Sequence, residues 1–335
     1  MITKRGLGLA ALGLTAAGRA QAQGAAPGTS PGISPGGEWP QRQVTLVVPW
    51  APGGSTDTLA RVLAQRVSTD LGRPVVVDNR PGGSGTVGHG TVSRAQPDGH
   101  TLLLGTNSTY AMAPFLLNAI PYDNDRGFTP IGLLATNAQF FCVHPSVRAT
   151  SIAELIALAK AQPGRISYSS SGAGSSAHLA VELLNAEAGI EMLHVPYRGG
   201  APALQALIAN EVQLSAVDAV SALQPMRAQA VRAIAVSSAR PDPAAPEIQP
   251  VAAAVPGYEC STDFSLFAPP GMAPALQARI QAAFARALES AEVREKLATL
   301  AIRPVGARPE EFPAYQKREM EKWGGIIRAR NIKPD

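Results

Sequence analysis

The chain has 335 residues, 45% hydrophobic and 16% charged, which excludes a disordered chain and is long enough for about two domains. Its net charge of +4 is mild, and Lys and Arg form no dense run. That balance argues against nucleic acid as a partner.

The N-terminus reads as a secretory signal. Met1 to Arg5 is a short basic stretch with Lys4 and Arg5, and Gly6 to Gly18 is apolar but too short to span a bilayer. Ala20-Gln21-Ala22 is an A-x-A cleavage site, so residues 1–22 are expected to be removed. No other segment is long and apolar enough to cross a membrane. Residues 23–40 are rich in Gly, Pro and Ser and read as a flexible tether.

The folded part begins with the strand "VTLVV" and continues into "PWAPGGSTDTLARVLAQ". Thr58 to Val67 is predicted helical, with Leu59, Val62, Leu63 and Val67 on one face. Pro49 and Pro52 stop the strand, and Gly53 and Gly54 turn the backbone and leave its amides bare. Ser55 or Thr56 can cap the helix, and Asp57 faces the positive end of its dipole. This is either an anion site or an ordinary capped turn. It lacks the Gly-Lys-Ser/Thr ending of a nucleotide P-loop.

The strand "PVVVDN" leads into "DNRPGGSGTVGHG", where Gly83-x-Gly85-x-x-Gly88 matches a dinucleotide fingerprint. That fingerprint needs an acid after the next strand, and "TLLLGTNSTY" has none, so no nicotinamide cofactor is expected. Further on, "RISYSS" runs into "SGAGSSAHLAVELL", again hydroxyls and glycines at a helix start. A hydrolase would use a serine within 169–176 with His178, but Gly172 to Ser176 does not form the G-x-S-x-G elbow. His178, in the first helical turn, can donate one hydrogen bond as a neutral ring.

"HVPYRGGAPALQAL" repeats the design, with Tyr197 offering a flat face and Arg198 a fork suited to carboxylate or to a salt bridge. Asp218 closes "VQLSAVD" at a strand's carboxyl end. The strand of "STDFSLFAPP" and two amphipathic helices complete the chain. Short apolar strands alternating with helices predict parallel α/β sheets. The five His (89, 100, 144, 178, 194) are scattered, so no metal is expected, and no paired carboxylates suggest catalysis. Cys142 and Cys260 can form one disulfide or remain buried thiols.

Taken in order, "VPWAPGGSTDTLAR", "VVVDNRPGGSGTVG", "DGHTLLLGTNSTYA", "YSSSGAGSSAHLAVELL" and "HVPYRGGAPALQALIANEVQLSAVD" resemble the Bug receptors. These are the TctC-like periplasmic solute-binding proteins of tripartite tricarboxylate transporters. The resemblance runs from about Trp39 to the last helix. Trp50 replaces the commoner Phe or Tyr, and "PGGSG" the more usual "PGAGG".

The resemblance implies an α/β type II periplasmic-binding-protein fold, with two domains facing a ligand cleft. Domain 1 would comprise 41–135 and 262–335, and domain 2 would comprise 136–261. Cys142 and Cys260 would lie near the two crossings, which favours their disulfide. The implied ligand is a small carboxylate held by amides and hydroxyls of both domains. Its contacts would be Gly53, Gly54, Ser55 and Asp57 on one side. Ser169, Ser170, Ser171, Gly172, Ala173 and Asp218 would face them. Asp57 would mainly orient its loop, and Asn107, His178, Trp50 and Tyr197 are further candidates. No catalysis and no cofactor are implied. The partners would be membrane permease subunits of a transporter, and the receptor a periplasmic monomer. The alternatives are a ligand-sensing subunit without transport and a secreted α/β serine hydrolase.

Overall fold

The computed structural model describes residues 39–333. The expected signal peptide and residues 23–38 of the expected tether lie outside the described residues. At its end the tether reading is wrong. Trp39 is buried, and its Nε1 donates to the Gly99 carbonyl at 3.0 Å.

The first sheet is built first. β1 (Val44–Val48) runs into α1 (Ser55–Leu71), then β2 (Val75–Asn79), α2 (Thr86–Val92), β3 (Thr101–Thr106), α3 (Ala113–Leu116) and β4 (Thr129–Asn137). α1 outruns its predicted span by three residues at the start and four at the end. It stops where Gly72 takes the left-handed conformation, φ 61°. After the single residue Ala138 the chain enters a second sheet at β5 (Gln139–Val143). There it forms α4 (Ile152–Ala161), β6 (Ser167–Ser170), α5 (Ser176–Ala188), β7 (Leu193–Pro196), α6 (Gly200–Ile208), β8 (Leu214–Asp218), α7 (Ala219–Arg227) and β9 (Arg232–Val236). It returns to the first sheet as β10 (Thr262–Ala268), followed by α8 (Pro274–Glu289), α9 (Ala291–Thr299), β11 (Ile302–Pro304) and α10 (Phe312–Ala329).

The strand orders are β11-β4-β10-β3-β1-β2 and β7-β6-β8-β5-β9. With edge strand β11 set aside, the two orders are equivalent. In each, the strand arriving from the other sheet inserts between that sheet's third and fourth strands. The expectation of wholly parallel sheets is corrected by these insertions. β1 is parallel to β2 and β3, and β6 to β7 and β8. β10 is antiparallel to β3 and β4, and β5 to β8 and β9. The reason is geometric: the neighbouring strands run toward the gap between the sheets, and an incoming strand must run away from it.

Alternation along the strands divides the core. Leu46 and Val48 pack with Leu59, Leu63, Leu102 and Phe284, while Val47 faces the other way. Val47 belongs to a cluster that also takes Tyr110, Phe141, Tyr168 and Leu179, so it draws on both sheets. Phe312, Trp323 and Ile327 of α10 join it, making α10 a brace across the two lobes. Arg330, just beyond α10, extends the brace by pairing with Glu182 of α5 at 3.1 Å.

The Cys142–Cys260 disulfide is not formed; both are buried free thiols. Cys142 packs with Phe140 and Val217 on one face of β5, whereas Cys260 joins the cluster of Phe141 on the other face. Burial pushes each thiol up to about 12.

Trp323 is fully buried and its Nε1 donates to Glu319 at 2.8 Å. Replacing Trp323 by Ala should cost about 3–5 kcal/mol of stability, read as a fall in the urea midpoint. A midpoint unchanged within error would contradict the bracing role of α10.

Candidate functional site

A cavity of about 230 Å³ lies between the two sheets, at the carboxyl ends of their strands. One wall is the β1–α1 loop from Trp50 to Thr56, with Thr106 at the end of β3 and Ser108 just beyond it. The facing wall comes from three strand-to-helix junctions of the second sheet: Ser171 and Ser175–Ala177, Arg198–Ala203, and Ser215–Asp218 with Ser221. Gln139 and Thr262 complete the lining at the two crossings, and Gln139 Nε2 donates to Thr262 Oγ1 at 2.8 Å.

The first wall is a loop secured from behind. Gly53 has φ 90°, a conformation that glycine adopts without strain. Its N–H donates to Asp57 Oδ2 at 3.0 Å, and the same oxygen accepts from Arg61 Nε at 2.9 Å. Asn79 Nδ2 donates both to Asp57 Oδ1 and to the Trp50 carbonyl. Asp57 is buried and absent from the lining, so it orients the loop rather than facing the cavity. Burial raises its carboxyl pKa, but the hydrogen bonds from Arg61, Gly53 and Asn79 outweigh this and hold it below the usual range. Trp50 lines the cavity and donates from Nε1 to Thr106 Oγ1 at 3.2 Å.

The glycines of the dinucleotide-like motif serve packing. A Cβ on Gly85 would lie 2.7 Å from Thr109 Cγ2 and 3.3 Å from Trp50, and one on Gly88 would lie 2.9 Å from the Pro49 backbone. They let α2 approach the first wall.

On the second wall the expected serines separate. Ser171 lines the cavity. Ser169 and Ser170 are fully buried; Ser169 Oγ donates to the Ala203 carbonyl at 2.9 Å, and Ser170 Oγ meets His194 Nε2 at 2.6 Å. Gly172 and Ala173 are likewise outside the lining, and the Ala173 carbonyl accepts from Ser84 of the opposite lobe. Asn107 is a tie rather than a cavity group. Its Nδ2 donates to the Ser261 carbonyl, and its Oδ1 accepts from Ser176 Oγ. Tyr197 turns away to donate to Glu211 at 3.2 Å. His178 is buried behind the turn, where Nδ1 accepts from the Gly174 N–H at 3.0 Å. That bond does not suit a general base for a serine, so the hydrolase arrangement is absent at His178.

Asp218 does line the cavity, half-buried, as the cap of α7. It accepts from the Ser221 N–H at 3.1 Å and from Ser221 Oγ at 2.9 Å. Burial is the main influence on its carboxyl and pushes the pKa up.

The sequence reading overlooked Gln139, Thr262, Thr106, Ser108, Ser215 and Ser221. A usable signal existed for some of them, because Thr106 and Ser108 lie at the carboxyl end of a recognisable strand. Gln139 and Thr262 had none, because only the crossing brings them together.

Four helices begin at this cavity: α1, α5, α6 and α7. Ser175 caps α5 and Asp218 caps α7. α1 and α6 start at Gly54 and Gly199 without a side-chain cap. Their first-turn amides and dipoles therefore present partial positive charge from opposite walls. Arg198 and Asp218 are the charged residues of the lining. Such a site suits a small anion. Among the described residues, no group of His, Cys, Asp and Glu could hold a metal, and no helix is long and apolar enough to cross a membrane.

The chain is similar to known proteins over most of its length. BugT of Bordetella pertussis is 31% identical over 88% of this chain and 91% of its own. The structure of R. palustris Rpa4515 with adipate has a TM-score of 0.85 and 33% identity, covering 89% of this chain and all of that one. MatC of Rhodopseudomonas palustris with bound malate has a TM-score of 0.78 and 30% identity, covering 86% of this chain and all of that one. A family model described as the tripartite tricarboxylate transporter family receptor matches residues 59–332. The chain belongs to that family, TctC, and is a solute-binding receptor of the Bug type.

Proposed function

We propose that this receptor captures a dicarboxylate in the periplasm and delivers it to the permease subunits of a tripartite transporter. Residues 1–22 act as the cleaved signal, and the mature protein works as a monomer. The ligand sits between domain 1 (41–135 and 262–335) and domain 2 (136–261), which open and close around it.

The observation that carries this reading is the pair of uncapped helix starts, α1 and α6, on facing walls. One carboxylate takes the amides of Gly54–Thr56 with the Ser55 hydroxyl. The other takes the amides at Gly200 and Ala201 with the Arg198 guanidinium. An exposed dipole contributes about 0.3–1 kcal/mol and more when partly buried, so closure strengthens both contacts. The two ligand-bound neighbours hold acids of this kind, adipate and malate.

Adipate should raise the thermal midpoint in a concentration-dependent way, because it binds the folded chain alone. Its neutral analogue adipamide should leave the midpoint unchanged. Equal shifts from both would refute an anion-selective cavity. Arg198→Gln should weaken adipate binding by about tenfold or more, the scale of a hydrogen bond to a charged group. Hexanoate, with one carboxylate, should be nearly insensitive to that change in calorimetry. Equal losses for the two acids would remove Arg198 from the second pole.

A further inference from the structure

The turn between β6 and α5 carries Ser171, Ser175 and Ser176 into the cavity. It is built from glycines in left-handed conformations, Gly172 at φ 122° and Gly174 at φ 74°. A glycine turn of this kind has many alternatives in free solution, so something must select one. The selecting contacts lie behind it.

Gly174 N–H donates to His178 Nδ1 at 3.0 Å. A backbone amide can only donate, so Nδ1 is the unprotonated nitrogen and the neutral ring carries its proton on Nε2. The ring of His194 lies flat on His178, with centroids 3.8 Å apart and planes 7° from parallel. His194 Nε2 in turn meets Ser170 Oγ at 2.6 Å, and that oxygen accepts the Gly172 N–H at 3.2 Å. Two stacked imidazoles thus reach the two glycine amides of one turn.

The support continues outward. Tyr168 stacks on His194 with centroids 5.0 Å apart and on His178 at 6.2 Å. Its hydroxyl donates to Glu182 at 2.8 Å, and Glu182 pairs with Arg330 beyond α10. On its other side the turn meets the opposite lobe. Ser84 Oγ donates to the Ala173 carbonyl, and a Cβ on Gly174 would collide with Leu116. The shape of this turn therefore governs both a wall of the cavity and a contact between the lobes.

We propose that His178 is a positioning residue for the binding cavity: as a neutral ring held by its stack on His194, it fixes the β6–α5 turn by accepting the Gly174 amide at Nδ1. A second proton would set N–H against N–H and place positive charge in the first turn of α5. Burial, with the nearby His194, lowers the pKa of His178 to about 3 and keeps the acceptor available at neutral pH.

The test begins with the ligand-free full chain, independent of any reading of the ligand. Imidazole nitrogen NMR at pH 7 should show His178 with Nδ1 unprotonated, and amide exchange should show Gly174 protected. His178→Leu keeps bulk but has no acceptor, and should speed Gly174 exchange by about tenfold, the scale of one net hydrogen bond. His178→Asn places an amide oxygen near the position of Nδ1 and should restore protection. A protonated Nδ1 in the wild type would overturn the proposal even if no variant folds. Unchanged Gly174 exchange in a folded His178→Leu variant would do the same. The affinity arm rests on the dicarboxylate reading: adipate binding should weaken about tenfold in His178→Leu and recover in His178→Asn. If adipate fails to bind the wild type, the ligand reading fails while the exchange result still decides the role of His178.

Discussion

Exposed amides at the starts of α1 and α6 set the terms for the rest of the molecule. A helix start leaves several N–H groups without internal partners, and burying them unsatisfied is costly. At the cavity, Ser175 and Asp218 solve this locally for α5 and α7 with side-chain caps. α1 and α6 start on glycines that offer no such cap. Their amides therefore remain for a ligand, and the free energy of satisfying them is available to binding.

Keeping those amides in place requires polar groups that never face the cavity. Asp57, clamped by Arg61 and Asn79, tethers the Gly53 amide. Ser169 holds β6 to the first turn of α6 through the Ala203 carbonyl. Asn107 links the end of β3 to α5 and to the segment entering β10. These side chains are buried, so their hydrogen bonds act in a low-dielectric setting and resist exchange with water. Rigid loops lose little freedom on binding, which favours affinity from few direct contacts.

Sheet topology supplies the convergence. Both sheets use the same internal order, and in both the inserted strand runs against its neighbours. Apart from edge strand β11, which runs against β4, the other strands aim their carboxyl ends at the same gap, where α1, α5, α6 and α7 begin. The Gln139–Thr262 hydrogen bond joins the two crossings at that point. On the far side α10 contributes Phe312, Trp323 and Ile327 to a cluster drawn from both lobes.

The alternation of apolar strands with amphipathic helices was legible in the chain, as were the glycine-hydroxyl turns at their junctions. These features are local: they follow from side-chain periodicity, from the conformational freedom of glycine and from the absence of a Lys in the first loop. Gly53, Gly54, Ser55 and Asp218 could be named from such patterns, Trp50 and Ser171 were implied by the family resemblance, and all six line the cavity. Tertiary structure alone decided which neighbours turn inward. Ser169, Ser170 and Ser171 are chemically identical, yet only the third reaches the cavity, because the first two close hydrogen bonds within the second sheet's lobe. Gln139 and Thr262 are 123 positions apart and meet because two strands cross between sheets. The cysteines lie on opposite faces of β5, a fact invisible without register. Sequence determines which backbone is left bare, because that depends on adjacent residues; the fold determines what the bare backbone faces, because that depends on residues far along the chain.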